Sequence, residues 1–226
     1  MPGAAFFDLD RTLISRSSSL SLAPAFHRRG LLRRRDRAKA LIAQLVFMRY
    51  GAGTSRVGQT AESAMVFLKG LPVEEMRAIV AEAVDSAFRP HVYRGALELV
   101  ARHRERGERS FIVSAALQEI VDALVAELGF DGGLGSTAEV EDGVYTGRVE
   151  RRLDGKAKAE ALVPLAVEQG IELGESTAYS DSGSDVPFLE AVGNPVAVNP
   201  DRKLRRIAAE RSWRVLRFSD KAYPAR

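Results

Sequence analysis

From Arg94 onward the sequence alternates helical patterns with short apolar runs: GALELVARHRERG, SFIVSA, EIVDALVAELG, KAEALVPLAVEQG, TAYSD, VPFLEAVG, PVAVN, RKLRRIAAERS and WRVLRF. Short apolar strands separated by helices are the βαβ alternation of a parallel sheet, so the expected class is α/β, doubly wound and mostly parallel. The segment STAEVEDGVYTGRVE breaks the pattern. Its period-two alternation around Asp142-Gly143 predicts a β-hairpin.

The first strand of such a sheet is AAFF, and it delivers two carboxylates, Asp8 and Asp10, just past its end, with Thr12 following. Side chains two apart share a face, so both acids can point into one pocket. One can attack while the other moves protons. Like charges this close need a counterion, and a hard divalent cation with oxygen ligands supplies it, which implies Mg2+. Magnesium keeps several waters and takes one or two carboxylates plus phosphate oxygens, so a further acidic ligand is expected elsewhere in the chain.

Three later segments offer partners. FIVSA ends in Ser114 and leads into a helical pattern, where a hydroxyl and backbone N–H groups suit a phosphate oxygen; a serine helix cap is the plainer reading. GKAKAEAL opens a helix with Lys156 in its first turn, opposing the helix dipole and available to clamp a phosphoryl group; a solvated lysine is the plainer reading there. AYSDSGSDVPFL gives a strand, an acidic loop with Asp181 and Asp185, and a helix. Asp181 sits where the further metal ligand is required. Asp185 could orient a metal-bound water, hold Lys156 or simply cap the helix, and Ser184 could cap the helix or touch substrate.

Taken in order as DxDxT, S, K and DxxxD, these segments resemble the haloacid dehalogenase superfamily over essentially the whole chain, and within it the phosphoserine phosphatase-like branch. The resemblance implies a Rossmann-like core of residues 1–14 and 89–226 with an all-helical cap, residues 15–88, inserted after the first motif. It implies Asp8 as nucleophile, Asp10 as general acid/base, Ser114 and Lys156 as phosphate-binding groups, and Thr12, Ala115 and Ser184 beside the substrate. Asp8, Asp10 through its carbonyl, Asp181 and the supporting Asp185 form the implied metal set. The expected activity is a Mg2+-dependent phosphomonoester hydrolase working through a phosphoaspartate.

Departures from the branch's pattern bear on substrate. The glutamate that reads the amino group of phosphoserine falls on Ser17, and the arginine that grips its carboxylate falls on Ala64, with Arg56 and Lys69 nearby. A glycine and an asparagine of the motifs fall on Ala115 and Ser184. These differences point to a small phosphate ester other than phosphoserine. Phosphoserine itself, phosphoryl transfer to an alcohol, and a non-enzymatic interaction protein using a basic cap are the alternatives. Arg11, directly after the second aspartate, could shield the acidic pair, contact the cap or form a surface ion pair.

Composition sets the remaining bounds. At 226 residues and 46% hydrophobic content the chain can bury one sizeable core plus a small inserted unit. Cysteine is absent, excluding disulfides and thiolate catalysis, and His27, His91 and His103 form no spaced ligand cluster. The first apolar run is cut by Asp8 and Asp10, and no stretch is long and uncharged enough to span a bilayer, so a cytoplasmic protein is expected. Within the cap, HRRGLLRRRDRAK from His27 to Lys39 is densely basic. A solvated helix face explains it, and an anionic lipid or membrane surface, or a large anionic substrate, is the functional alternative. No aromatic interleaving or reader motif accompanies it, so nucleic acid is not an expected partner.

Overall fold

Every residue of β1 (Ala4–Phe7) is fully buried, as a central strand covered on both faces requires. The computed structural model describes residues 1–31 and 68–223. After β1 come α1 (Ser18–Ser21), α2 (Ala23–Arg28), α3 (Val73–Ala83), α4 (Arg94–Glu105), β2 (Arg109–Leu117), α5 (Gln118–Leu128), β3 (Gly132–Glu141) and β4 (Val144–Arg151). Then follow α6 (Gly155–Gln169), β5 (Thr177–Ser180), α7 (Val186–Glu190), β6 (Asn194–Val198), α8 (Arg202–Glu210) and β7 (Arg214–Leu216).

The seven strands form one sheet in the order β4-β3-β2-β1-β5-β6-β7, parallel throughout except for β4. Successive residues of β1 serve opposite layers. Ala5 and Phe7 join Leu99 of α4, Ile120 and Leu124 of α5 and Ile79 of α3, whereas Ala4 and Phe6 join Leu162 of α6, Phe188 of α7 and Leu204 of α8. The sheet is therefore doubly wound, as the alternation predicts. The chain builds outward from β1 to β2 and β3, then crosses to β5 on the other side of β1. Such a reversal opens a crevice beyond the carboxyl ends of the central strands.

Local chemistry explains the element ends. Burial of Ala96, Leu99, Val100 and His103 gives α4 one inward stripe. Gly129, in the left-handed region at φ 70°, closes α5, and the Asp201 carboxylate accepts the Leu204 N–H at 2.7 Å to cap α8. In the hairpin between β3 and β4, Asp142 and Gly143 both have positive φ, as a two-residue type I′ turn demands.

The chain leaves the sheet at Ile14 and returns at Val92, two residues paired antiparallel. The Ser15 N–H donates to the His91 carbonyl and the Tyr93 N–H to that of Leu13, each at 2.9 Å. Between them, the described elements α1, α2 and α3 are helical. Residues 32–67, holding Arg56, Ala64 and most of the basic stretch, lie outside the described residues. Among the described residues no helix is long and apolar enough to cross a membrane.

Beneath β5, the Tyr179 hydroxyl meets Nε2 of buried His103 at 2.7 Å, and Nδ1 of His103 meets Glu108. The Tyr179 ring also stacks on Phe7, centroids 4.4 Å apart. This ties α4 to the two strands that end in Asp8 and Asp181. Tyr179→Phe keeps the stacking but leaves Nε2 buried without a partner, an expected loss of about 1–3 kcal/mol in urea unfolding. An unchanged midpoint would show that the hydroxyl is dispensable.

Candidate active site

The candidate site gathers the residues that follow β1 and β5 around Lys158 in the first turn of α6. The Asp8 N–H continues the ladder by donating to the Tyr179 carbonyl at 2.9 Å, which fixes the direction of its buried side chain. Behind it the Leu9 carbonyl accepts the N–H groups of Leu13 and Ile14 at 2.9 and 3.0 Å, a tight turn that folds Asp10 back. The Asp10 carboxylate accepts the Ser18 N–H at 2.8 Å at the start of α1. Thr12 is buried, and its Oγ1 has no hydrogen-bond partner among the described residues.

The lysine at this site is Lys158. Its Nζ donates to Asp8 Oδ1 at 2.6 Å and to Asp185 Oδ2 at 2.7 Å, and it lies over the Phe188 ring at 5.5 Å. Lys156, the residue expected from sequence, is 84% exposed and pairs with Glu160 at 3.2 Å along the helix. Two residues on an α-helix point about 200° apart, so Lys156 and Lys158 cannot share a face. A readable signal was present: the stripe of α6 through Leu162 and Ala166 runs back to Lys158, not Lys156. Gly155 permits the approach, because its φ is 40° and a Cβ there would lie 3.0 Å from the Ser184 carbonyl oxygen.

The remaining expected residues fall around this pair. Asp181 follows β5 directly, and its backbone carbonyl accepts the Asp201 N–H at 2.8 Å. Asp185 Oδ2 also accepts from Ser180 Oγ at 2.8 Å, so this acid holds Lys158 rather than capping a helix. The cap of that turn is Ser182, which accepts the Ser184 N–H, while the two hydroxyls meet at 2.8 Å. Ser114 is buried inside β2 instead of at its end. The strand runs on to Leu117 through a register shift after Val113, and Ser114 Oγ accepts the Ala116 N–H at 3.1 Å while Ala115 faces solvent. Arg11 reaches across to Asp181, Nε to Oδ2 at 3.1 Å.

Burial dominates the electrostatics. It pushes Asp8 up to about 6, against the pull of Lys158, and Asp181 up to about 8, reinforced by Asp8 and opposed by Arg11. Asp10 is raised as well, burial outweighing the Ser18 N–H. Burial alone would lower Lys158, but Asp185 and Asp8 outweigh it and its pKa is raised. The site thus holds one fixed ammonium among acids that are costly to ionise together. Among the described residues no three His, Cys, Asp or Glu side chains form an all-protein metal cage. Magnesium needs none, since two carboxylates, a carbonyl, waters and substrate oxygens suffice, and the mutually opposed Asp8 and Asp181 fit that demand.

The sequence profile of haloacid dehalogenase-like hydrolases matches residues 5–190. A phosphoserine phosphatase of Mycobacterium tuberculosis is 37% identical over 220 residues, 96% of this chain and 71% of its own. A histidinol-phosphatase of Neisseria meningitidis is 30% identical over 224 residues, 96% of this chain and 100% of its own. Among solved structures, a phospho-aspartyl intermediate analogue of phosphoserine phosphatase superposes with a TM-score of 0.70 at 21% identity, covering 97% of this chain and 95% of that one.

Proposed function

The chain belongs to the haloacid dehalogenase-like hydrolase family and is a phosphatase, and on that premise we propose that it hydrolyses a small phosphomonoester through a phosphoaspartate on Asp8, with Mg2+ as cofactor. The observation that carries this reading is the buried Asp8–Lys158–Asp185 chain beside a second acid of raised pKa, Asp10. Lys158 takes Oδ1 of Asp8, which leaves Oδ2 to attack phosphorus in line with the departing ester oxygen. Asp10, protonated at that moment, gives its proton to the leaving alkoxide. It then accepts one from the water that attacks the phosphoaspartate, releasing phosphate and restoring Asp8. Ser114 and Lys158 contact the phosphoryl oxygens and hold the group still.

The carboxylates of Asp8 and Asp181 and the carbonyl of Asp10 are the groups that would hold Mg2+, which supplies positive charge against the phosphoryl oxygens. Residues 15–88, helical in their described parts, are assigned to the cap that excludes water during transfer. The substrate is a small ester other than phosphoserine. Two relatives named for different substrates share this family, so the ester must be read outside the common machinery. Ser17, at the position of the ammonium-reading glutamate, instead favours the ionised form of Asp10.

Phosphate release from a panel of monoesters with Mg2+, including phosphoserine, histidinol phosphate, sugar and glycerol phosphates, tests both parts. Turnover of one ester well above phosphoserine supports the reading. Phosphoserine as the best substrate overturns its substrate half, and no release from any ester overturns the whole.

The raised acids also set a pH dependence. In metal-free protein, protons occupy Asp181 and Asp8 below about 8 and about 6, and cation binding must release them. The rise in melting temperature on adding Mg2+ is therefore expected to be small near about pH 6 and larger near about pH 8.5. A larger rise at the lower pH would contradict this order.

A further inference from the structure

The Asp181 carboxylate is buried, and among the described residues its one hydrogen-bond or ion-pair partner is Arg11. Each other acid of the site is held by the frame around it: Asp8 by Lys158, Asp185 by Lys158 and Ser180, Asp10 by the Ser18 N–H. Asp181 alone depends on a side chain that is itself 49% exposed. We propose that Arg11 is a positioning residue for the metal carboxylate, its guanidinium fixing the orientation of the Asp181 side chain that would hold the cation. This rests on the Mg2+-dependent reading above and names a residue outside the metal set.

Geometry places Nε of Arg11 3.1 Å from Oδ2 of Asp181, so a guanidinium that cannot be deprotonated faces this carboxylate. The backbone has been bent to achieve this. Arg11 sits at φ 61°, a left-handed conformation that is unfavourable for a non-glycine residue. It is retained because the N–H groups on its far side, those of Leu13 and Ile14, are tied to the Leu9 carbonyl. The turn that delivers Asp8 and Asp10 thereby also throws Arg11 across to the end of β5.

A guanidinium so near a cation could instead compete for the carboxylate. Two facts favour positioning. Half the Arg11 side chain lies in water, where ionic screening weakens repulsion. Loss of an outer partner of a ligating group, in contrast, commonly costs about 10–100-fold in metal affinity. The two effects have opposite signs, so one measurement separates them.

The experiment is calorimetric titration of the metal-free, full-length protein with MgCl2 at about pH 8, without phosphate, comparing wild type with Arg11→Gln and Arg11→Lys. Arg11→Gln keeps a side chain at the same strained backbone position and loses the charge and Nε. Its dissociation constant for Mg2+ is expected to rise about tenfold or more, with Arg11→Lys in between because it keeps charge without the planar donor. Circular dichroism checks folding, and Arg11→Gly, which relieves the backbone strain, replaces the glutamine variant if that one does not fold. Wild-type affinity in the charge-free variant would overturn the proposal, and tighter binding would make Arg11 a competitor. A wild type that takes no Mg2+ would overturn the metal reading and this proposal together, whereas normal wild-type binding with an unchanged variant sinks only the latter.

Discussion

Asp8→Asn is expected to abolish phosphate release while making the metal-free protein more stable at pH 8. The first effect follows from removing the attacking oxygen. Hydrolysis of phosphate monoesters is among the slowest uncatalysed reactions, and loss of a nucleophile elsewhere costs on the order of 10^6 in kcat. The second effect follows from burial. Asp8 titrates at about 6 in the fold against an ordinary 3.8, so between those values the folded protein keeps a proton that the unfolded chain has released. Stability therefore falls as pH rises through that window and stays lower above it. Asparagine carries no such penalty, and at pH 8 in chelator the variant should gain on the order of 2 kcal/mol, a gain that fades below about pH 4. Urea unfolding at both pH values and a phosphate-release assay check the two halves. A variant less stable at pH 8 would mean that Lys158 outweighs burial, and a loss of only a few-fold in activity would remove Asp8 from its role.

What could be read from the sequence here depended on whether a signal was local. AAFF followed by two acids two residues apart reports a buried strand that leads into acidic side chains within a few residues, and TAYSD does the same for Asp181. The hairpin was equally legible because Asp-Gly is among the few pairs that accept positive φ twice in succession. The setting of Ser114, inside β2 and not at its end, is not legible in the sequence. A strand that continues through a register shift looks, in sequence, like a strand that ends and a helix that begins. Arg11 was noticed without an assignment, since its partner lies 170 residues away and its reach depends on a left-handed backbone that arginine does not advertise. The expected lysine differs from the observed one for another reason: both Lys156 and Lys158 lie in the first turn of α6, and only the face set by Leu162 and Ala166 distinguishes them.

The two lysines of that turn supply the sharpest test of the site. Lys158→Ala is expected to lose activity and to destabilise the fold by about 3–5 kcal/mol, because it strips the cation from Asp8 and Asp185 while leaving both buried. The sign of the pH dependence follows. Without Lys158 the buried Asp8 is harder to ionise, so the loss should be greatest at high pH and shrink toward about pH 5, where a proton on Asp8 replaces the missing charge. Arginine is not expected to rescue, since its planar fork is broader than an ammonium seated between two oxygens and the Phe188 ring. Lys156→Ala serves as the matched control. It removes an exposed lysine two residues away, with the same charge change and the same helix, and only a surface pair with Glu160. Equal kcat/KM and equal unfolding midpoints are expected for that variant and wild type. The reverse result, an inactive Lys156→Ala beside an active Lys158→Ala, would mean that the phosphoryl group is met on the other face of α6 and that the buried chain through Asp8 and Asp185 serves stability alone.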